Sequence, residues 1–489
     1  MRNPLIDVAE QIRLGAQALM EFGSHLFNPT IRLGVTGMSG AGKTVFITAL
    51  IHGLVRGGRF PVFEALSSGR ISSARLSPQP DDAVPRFDYE SHIDDIVNKR
   101  RWPNSTRHVS ELRLQIDYQS RRGAMRTLTL DIVDYPGEWL LDLPLLNKSY
   151  AEWSAESIAT SRQHPQAGLA SEWHRFMHTL HSGAPENEQA ALTEARLFTD
   201  YLRACRDQRF AMSMLPPGRF LMPGDLAGSP ALTFAPLEVP LNELPPIGSQ
   251  WAMMERRYEA YKSVVVRPFF LEHFARLDHQ VVLVDVLSAF NAGPQSLHDL
   301  ESALTSVLAC FKAGRWNLLN ALFSPRIDRI LFAATKADHV HQESHDRLEN
   351  ILRKMTAHAA ERAQFAGAKI DVIALAAVRA TREAAVKQGK QELPAIIGTP
   401  AAGETMGQRK FDGETEAAMF PGELPADVED VFAKSGAFRG LTDVDAAHAD
   451  FRFLRLLPPR LPRDNGEVPE LPNIRLDRAL QFLLGDRLQ

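Results

Sequence analysis

The chain has 489 residues, 44% of them hydrophobic and 23% charged, with a formal net charge of −4. This balance excludes wholesale disorder and a global basic field for nucleic acid or anionic membrane, and it leaves room for two or three domains. The two cysteines, Cys205 and Cys310, lack the spacing of a zinc site or a secreted disulfide framework, which predicts a reducing, cytoplasmic setting.

In chain order, Leu5, Val8, Ile12, Ala16, Leu19 and Leu26 recur at helical spacing and predict an amphipathic helix packed on its own protein. Asp7, Glu10 and Arg13 interrupt this stretch, so no secretory signal is expected. No window approaches the roughly 18 consecutive apolar residues of a transmembrane segment. With only Arg2 and Arg13 on offer as basic residues here, peripheral membrane contact is left open without direct support.

Residues 31–35 are an apolar run rich in β-branched side chains, which predicts a buried parallel strand, and residues 45–54 predict a helix. Between them stands GMSGAGKT, residues 37–44. Gly37, Gly40 and Gly42 let the backbone curl so that amide N–H groups face phosphate oxygens at the positive end of the helix. The residues expected around the phosphates are Ser39, Gly40, Ala41, Gly42, Lys43, Thr44 and Val45. Lys43 is placed to reach the β- and γ-phosphates, and the Thr44 hydroxyl to ligate Mg²⁺.

Residues 111–134 read as two strands joined at a polar Arg-Arg-Gly turn. Leu112, Leu114, Ile116 and Tyr118 alternate with Arg113, Gln115 and Asp117, the pattern of a half-exposed edge strand. The second strand ends in DYPGE. Asp134, at a strand's C-terminal end, is placed to hold the Mg²⁺ shell, and Gly137 to offer a bare N–H to a γ-phosphate. Further on, IDRILFAATKAD (327–338) predicts a buried strand followed by Thr335, Lys336, Ala337 and Asp338. This resembles the guanine-specificity motif of Ras-like GTPases, usually Asn-Lys-x-Asp, with Thr for Asn. A carboxylate there accepts from guanine N1–H and the 2-amino group, which adenine does not supply. The Lys336 stem is expected along the base plane. After a last strand at 370–375, a backbone N–H among 376–378, with Val378 as the named candidate, is expected at guanine O6.

The order of these elements is that of a Ras-like phosphate-loop GTPase, and the chain as a whole resembles the YcjX-like family of bacterial GTP-binding proteins. The residues that carry the resemblance are GMSGAGKTVFITALI, RRWPNSTRHVSELRL, DIVDYPGEWLLDLPLL, VVLVDVLSAFNAGP, ATKADHV, ALAAVRATRE and PNIRLDRALQFLLGDRL. It implies an α/β fold with a Ras-like domain, a mostly parallel sheet with one antiparallel edge strand, and a large, mainly helical inserted domain. It also implies GTP and GDP as ligands, Mg²⁺, and a link to stress responses.

The resemblance directs attention to residues 102–106. Thr106 is the expected switch hydroxyl that meets Mg²⁺ and the γ-phosphate, Ser105 its neighbour on the phosphates, and Trp102 either a wall of the nucleotide site or a core residue. His339 is either a nucleotide contact or a surface histidine. Where Ras-like proteins usually carry Gln after the DxxG turn, this chain has Glu138. Its carboxylate either accepts a bond from attacking water while repelling the γ-phosphate, or caps the helix that follows. With Lys43, Gly137 and Glu138 as the catalytic candidates, slow turnover is expected, helped by a partner or by an arginine in cis such as Arg107.

Three parts are expected: 1–147, the first half of the GTPase domain with the N-terminal helix; 148–277, a mainly helical insertion with a proline-rich segment at 215–248; and 278–489, the second half with a loop-rich extension and a closing helix at 476–485. The sequence-level expectation is a GTP-dependent switch that engages an unidentified protein effector through the insertion. A phosphate-loop ATPase or kinase, and an interaction protein that binds nucleotide without hydrolysing it, are the alternatives.

Overall fold

The computed structural model describes residues 29–489 except 39, 107, 164–165, 207–215, 310–326, 366, 389–390, 433–437, 440–450 and 463–468. The helix expected at 5–27 therefore lies outside the described residues, as do Ser39, Arg107 and Cys310.

The central sheet is assembled from β1 (Thr30–Gly37), β2 (Ile71–Ser77), β3 (Ser110–Gln119), β4 (Met125–Asp134), β5 (His279–Val284), β6 (Arg329–Ala334) and β7 (Lys369–Ala374). Its order is β2-β3-β4-β1-β5-β6-β7. From β4 across to β7 every neighbouring pair is parallel, and β3 runs antiparallel to both β2 and β4. The mostly parallel sheet with antiparallel pairing at one edge matches the expectation. The edge itself is β2, however, and the strand of Leu112 to Tyr118 lies one position inward. A register shift between Ile71 and Ser73 breaks the alternation of β2, which is why ISSARLS carries no strand signal.

β5 and β6 are buried along their whole length, as strands covered on both faces must be. One face packs on α1 (Lys43–Arg56), α2 (Tyr89–Val97) and a closing helix, Leu476–Leu484. The expected end of that helix is thus met within a residue. Leu480, Leu483 and Leu484 are wholly buried there, each stabilising the fold by about 1.5–3 kcal/mol. On the other face, the β5–β7 half packs on Val286–Ala292, Pro294–Ala309 and His345–Phe365. Beyond β7, strands Arg382–Gln388, Gln391–Gly398 and Ala417–Met419 form a separate antiparallel sheet.

Between β4 and β5 the described chain is helical or irregular. It includes α3 (Tyr150–Ser161), α4 (Glu188–Arg206) and α5 (Gln250–Tyr261). Beyond α5 the helix runs on to Phe274 with π-turns on either side of Pro268, where the missing N–H breaks the regular ladder. The 218–249 stretch holds only short helical turns, as its prolines dictate. Trp153, Trp173, Phe198, Phe234 and Tyr258 form an aromatic cluster in this region, and the cluster continues into Val133 and Tyr135 at the end of β4. Cys205 is buried in it as a free thiol. No helix among the described residues is long and apolar enough to cross a membrane.

Candidate functional site

Parallel register brings the C-terminal ends of β1 and β4 side by side, with Val35 opposite Asp134, and sets Gly37 opposite Leu283 of β5. Loops at this edge of an open α/β sheet are where ligands bind. The loop after β1 turns through Gly40 (φ 79°) and Gly42 (φ 84°), both in the left-handed region that favours glycine. No side chain caps α1, so its first N–H groups are available to an anion. Lys43 is buried, and its Nζ donates to the Gly37 carbonyl at 2.7 Å. That same carbonyl oxygen abuts Gly137, where an added Cβ would lie 2.0 Å away. Gly137→Ala is therefore expected to force the loop and the turn apart and to lower stability by about 1–3 kcal/mol. Urea unfolding checks this, and an unchanged midpoint would show that the two backbones separate freely.

The three residues expected at a metal ion come together. Thr106 Oγ1 donates to Asp134 Oδ2 at 2.7 Å and lies 3.3 Å from Thr44 Oγ1. Thr44 Oγ1 also approaches the Asn104 carbonyl, at 3.4 Å. The register of β3 and β4 explains the meeting: Ser110 pairs with Asp134, so the segment just before β3 crosses the end of β4. Burial pushes Asp134 up to about 6, against the pull of Lys43 and the Thr106 hydroxyl. Its Oδ1 is buried with no partner among the described residues. The bare Oδ1 of Asp134, with the Thr106 hydroxyl on its other oxygen and the Thr44 hydroxyl beside that of Thr106, makes an oxygen donor set suited to a hard cation such as Mg²⁺. Ser105 is exposed, and no contact ties it to this group.

Glu138 lies in the first turn of a 3-10 helix, Gly137–Asn147, where the expected helix begins. Its Oε1 accepts from Arg206 Nη2, at the end of α4, at 2.8 Å. Next to it Asp142, pushed up to about 6 by burial, accepts from Gly218 N at 2.7 Å, Arg219 N at 3.2 Å and Tyr261 Oη at 2.6 Å.

At the far end of the sheet edge, Thr335 is buried and its N–H donates to Val284 O at 2.9 Å. Lys336 takes a left-handed conformation (φ 60°) and pairs with Asp285. Although burial pushes Asp285 up, Lys336 and the Ser288 bonds hold it below the usual carboxylate range. Asp338 is buried, its Oδ2 accepting from Ala380 N at 2.8 Å and its carbonyl from Thr381 Oγ1 at 2.6 Å. His339 is half-buried, held below its ordinary value by that burial, and lines a small recess with Met406, Met419 and Arg452. In the expected O6 loop, the Ala376 N–H is already committed to Ile474 O at 3.1 Å. That narrows the range to Ala377 and Val378, and the Val378 side chain belongs to the core. Trp102 is half-buried, and its indole N–H donates to Leu456 O at 2.6 Å, tying it to the C-terminal segment.

Sequence reasoning missed Asp285, Arg206 and Asp142. Asp285 directly follows the buried β5, much as Asp134 ends β4, so its position was a usable signal. Arg206 gave none, because its partner is 68 residues away.

The fold and loop thus define a mixed α/β protein with a phosphate-loop signature at the C-terminal edge of a mostly parallel sheet. The chain belongs to the YcjX-like family, DUF463, whose profile matches residues 31–488. It is 36% identical over 479 residues to a protein of Escherichia coli (strain K12) named Ras-like GTPase YcjX, spanning 94% of this chain and 96% of that one. It is also 34% identical over 496 residues to a protein of the same name from Shewanella oneidensis, spanning 94% and 95%.

Proposed function

We propose that this protein binds GTP and GDP with Mg²⁺ and hydrolyses GTP slowly, acting as a nucleotide-dependent switch in a cytoplasmic stress response. The observation that carries the reading is the convergence of Thr44, Thr106 and the half-unsatisfied Asp134 beside Lys43. The relatives' name, Ras-like GTPase, supports it. Thr44, Thr106 and Asp134 would hold Mg²⁺, which when bound neutralises phosphate charge. Phosphate oxygens would lie on the amides of Gly40 through Val45, with Lys43 leaving the Gly37 carbonyl for the β- and γ-phosphates. Gly137 offers its N–H to the γ-phosphate. Asp338 would take guanine, with Lys336 along the base, Val378 or Ala377 at O6, and Trp102, Ser105 and His339 as outlying contacts.

The Arg206 bond occupies one oxygen of Glu138 and supports slow hydrolysis, because the carboxylate is not free to orient water. In this reading residues 148–277 are an inserted domain between two halves of the nucleotide domain, 1–147 and 278–489, and they engage a protein effector. Asp338→Ala is expected to lower GTP affinity about 100-fold while leaving ATP affinity within about twofold, since two hydrogen bonds to a charged acceptor are lost. Competition titration with Mg²⁺ measures both. Equal losses for the two nucleotides would remove Asp338 from base recognition, and single-turnover assays showing no phosphate release would leave a binding protein without turnover.

A further inference from the structure

Glu138 and Arg206 form a partly buried ion pair whose position matters more than its strength. Glu138 directly follows Gly137, which packs on the Gly37 carbonyl oxygen that also holds Lys43 Nζ. Glu138 therefore follows by one residue the glycine that packs on the start of the loop that Lys43 serves. Its side chain is 4% exposed, and the Arg206 side chain 24%. On the other side, Gly218 packs so closely that a Cβ there would lie 1.9 Å from the Glu138 carbonyl oxygen. Asp142 holds Gly218 in place through its N–H. Glu138 is thus held through its carboxylate by Arg206 at the end of α4 and through its backbone carbonyl against Gly218, one residue beyond the Gly137 N–H expected at the γ-phosphate.

Resting on the reading of GTP and GDP at this loop, we propose that Arg206 is a specificity-determining residue for triphosphate over diphosphate. Its guanidinium cancels the Glu138 charge, which would otherwise repel the γ-phosphate. A diphosphate ends one phosphoryl group short and is less affected. Like charges within about 10 Å, at the effective dielectric of a protein site, repel enough to change an affinity about tenfold. Because Arg206 is the last residue of α4, any displacement of that helix alters the cancellation. The helical segment and the γ-phosphate are thereby coupled through one ion pair.

The test is a titration of full-length wild type, Arg206→Ala, Glu138→Gln and the double variant with GDP and a non-hydrolysable GTP analogue, at fixed Mg²⁺. Arg206→Ala should lower the triphosphate-to-diphosphate affinity ratio about tenfold, and Glu138→Gln alone should raise it. The double variant should return the ratio to within about twofold of wild type. A purely structural role for the pair would weaken both nucleotides together, with no restoration in the double variant, and that result overturns the proposal. Should Arg206→Ala fail to fold, Glu138→Gln still decides, since an unchanged or lowered ratio in that variant overturns it too. Wild type that binds neither nucleotide overturns the underlying reading and this inference with it, whereas competent binding with an unmoved ratio overturns this inference alone.

Discussion

Lys43→Ala is expected to reduce triphosphate affinity by about 100- to 1000-fold, the largest single loss of any substitution in the proposed site. The ammonium is already desolvated in a slot beside the Gly37 carbonyl, with 7% of the residue exposed. It therefore needs little further reorganisation to meet phosphate. Truncating one partner of a buried, hydrogen-bonded charge pair costs about 2–5 kcal/mol, and the middle of that span, about 2.7–4.1 kcal/mol, corresponds to the stated range. The apo fold should survive, because the lost bond is to a carbonyl that faces the loop. Isothermal titration with Mg²⁺ and GTP reads the affinity, and thermal unfolding without nucleotide reads the fold. An affinity within threefold of wild type would mean that phosphate does not lie on this loop.

The second large effect concerns stability, at Glu194 on α4. This residue is wholly buried, neither carboxylate oxygen has a partner among the described residues, and burial pushes it up to about 8. In the unfolded chain a glutamate titrates near 4.3. The folded state therefore binds the extra proton, so this group's contribution is fully present below about pH 4.3 and is lost as pH rises through about 8. The slope approaches about 1.4 kcal/mol per pH unit in that window, giving a total of several kcal/mol. Glu194→Gln keeps the shape and removes the titration. It is expected to unfold at a higher temperature than wild type, with a gap of several degrees at pH 8.5 that narrows toward pH 5. A gap independent of pH would show that Glu194 ionises normally in the folded protein.

Much of the site was legible because its residues act through local chain geometry. A strand, a glycine-rich turn and a helix within GMSGAGKT place Lys43 and Thr44 by themselves. Asp134 was readable from its position at a strand end. Thr106 was found through the resemblance, and its place beside Asp134 follows from how β3 pairs with β4. What the sequence hid depends on contacts between distant segments. Trp102 answers to Leu456, 354 residues away, and Glu138 to Arg206. Asp338 shares its carboxylate with Ala380 N, a bond fixed only once the chain after β7 folds back. The same holds for the fold: the buried strands of the parallel half announce themselves as apolar runs, whereas β2 is polar and bulged and was missed.

The most direct test of the central claim is a paired titration of wild-type protein with GTP and ATP at saturating Mg²⁺. Guanine recognition by Asp338 predicts that GTP binds at least about 100-fold more tightly. Equal affinity for the two nucleotides would contradict it.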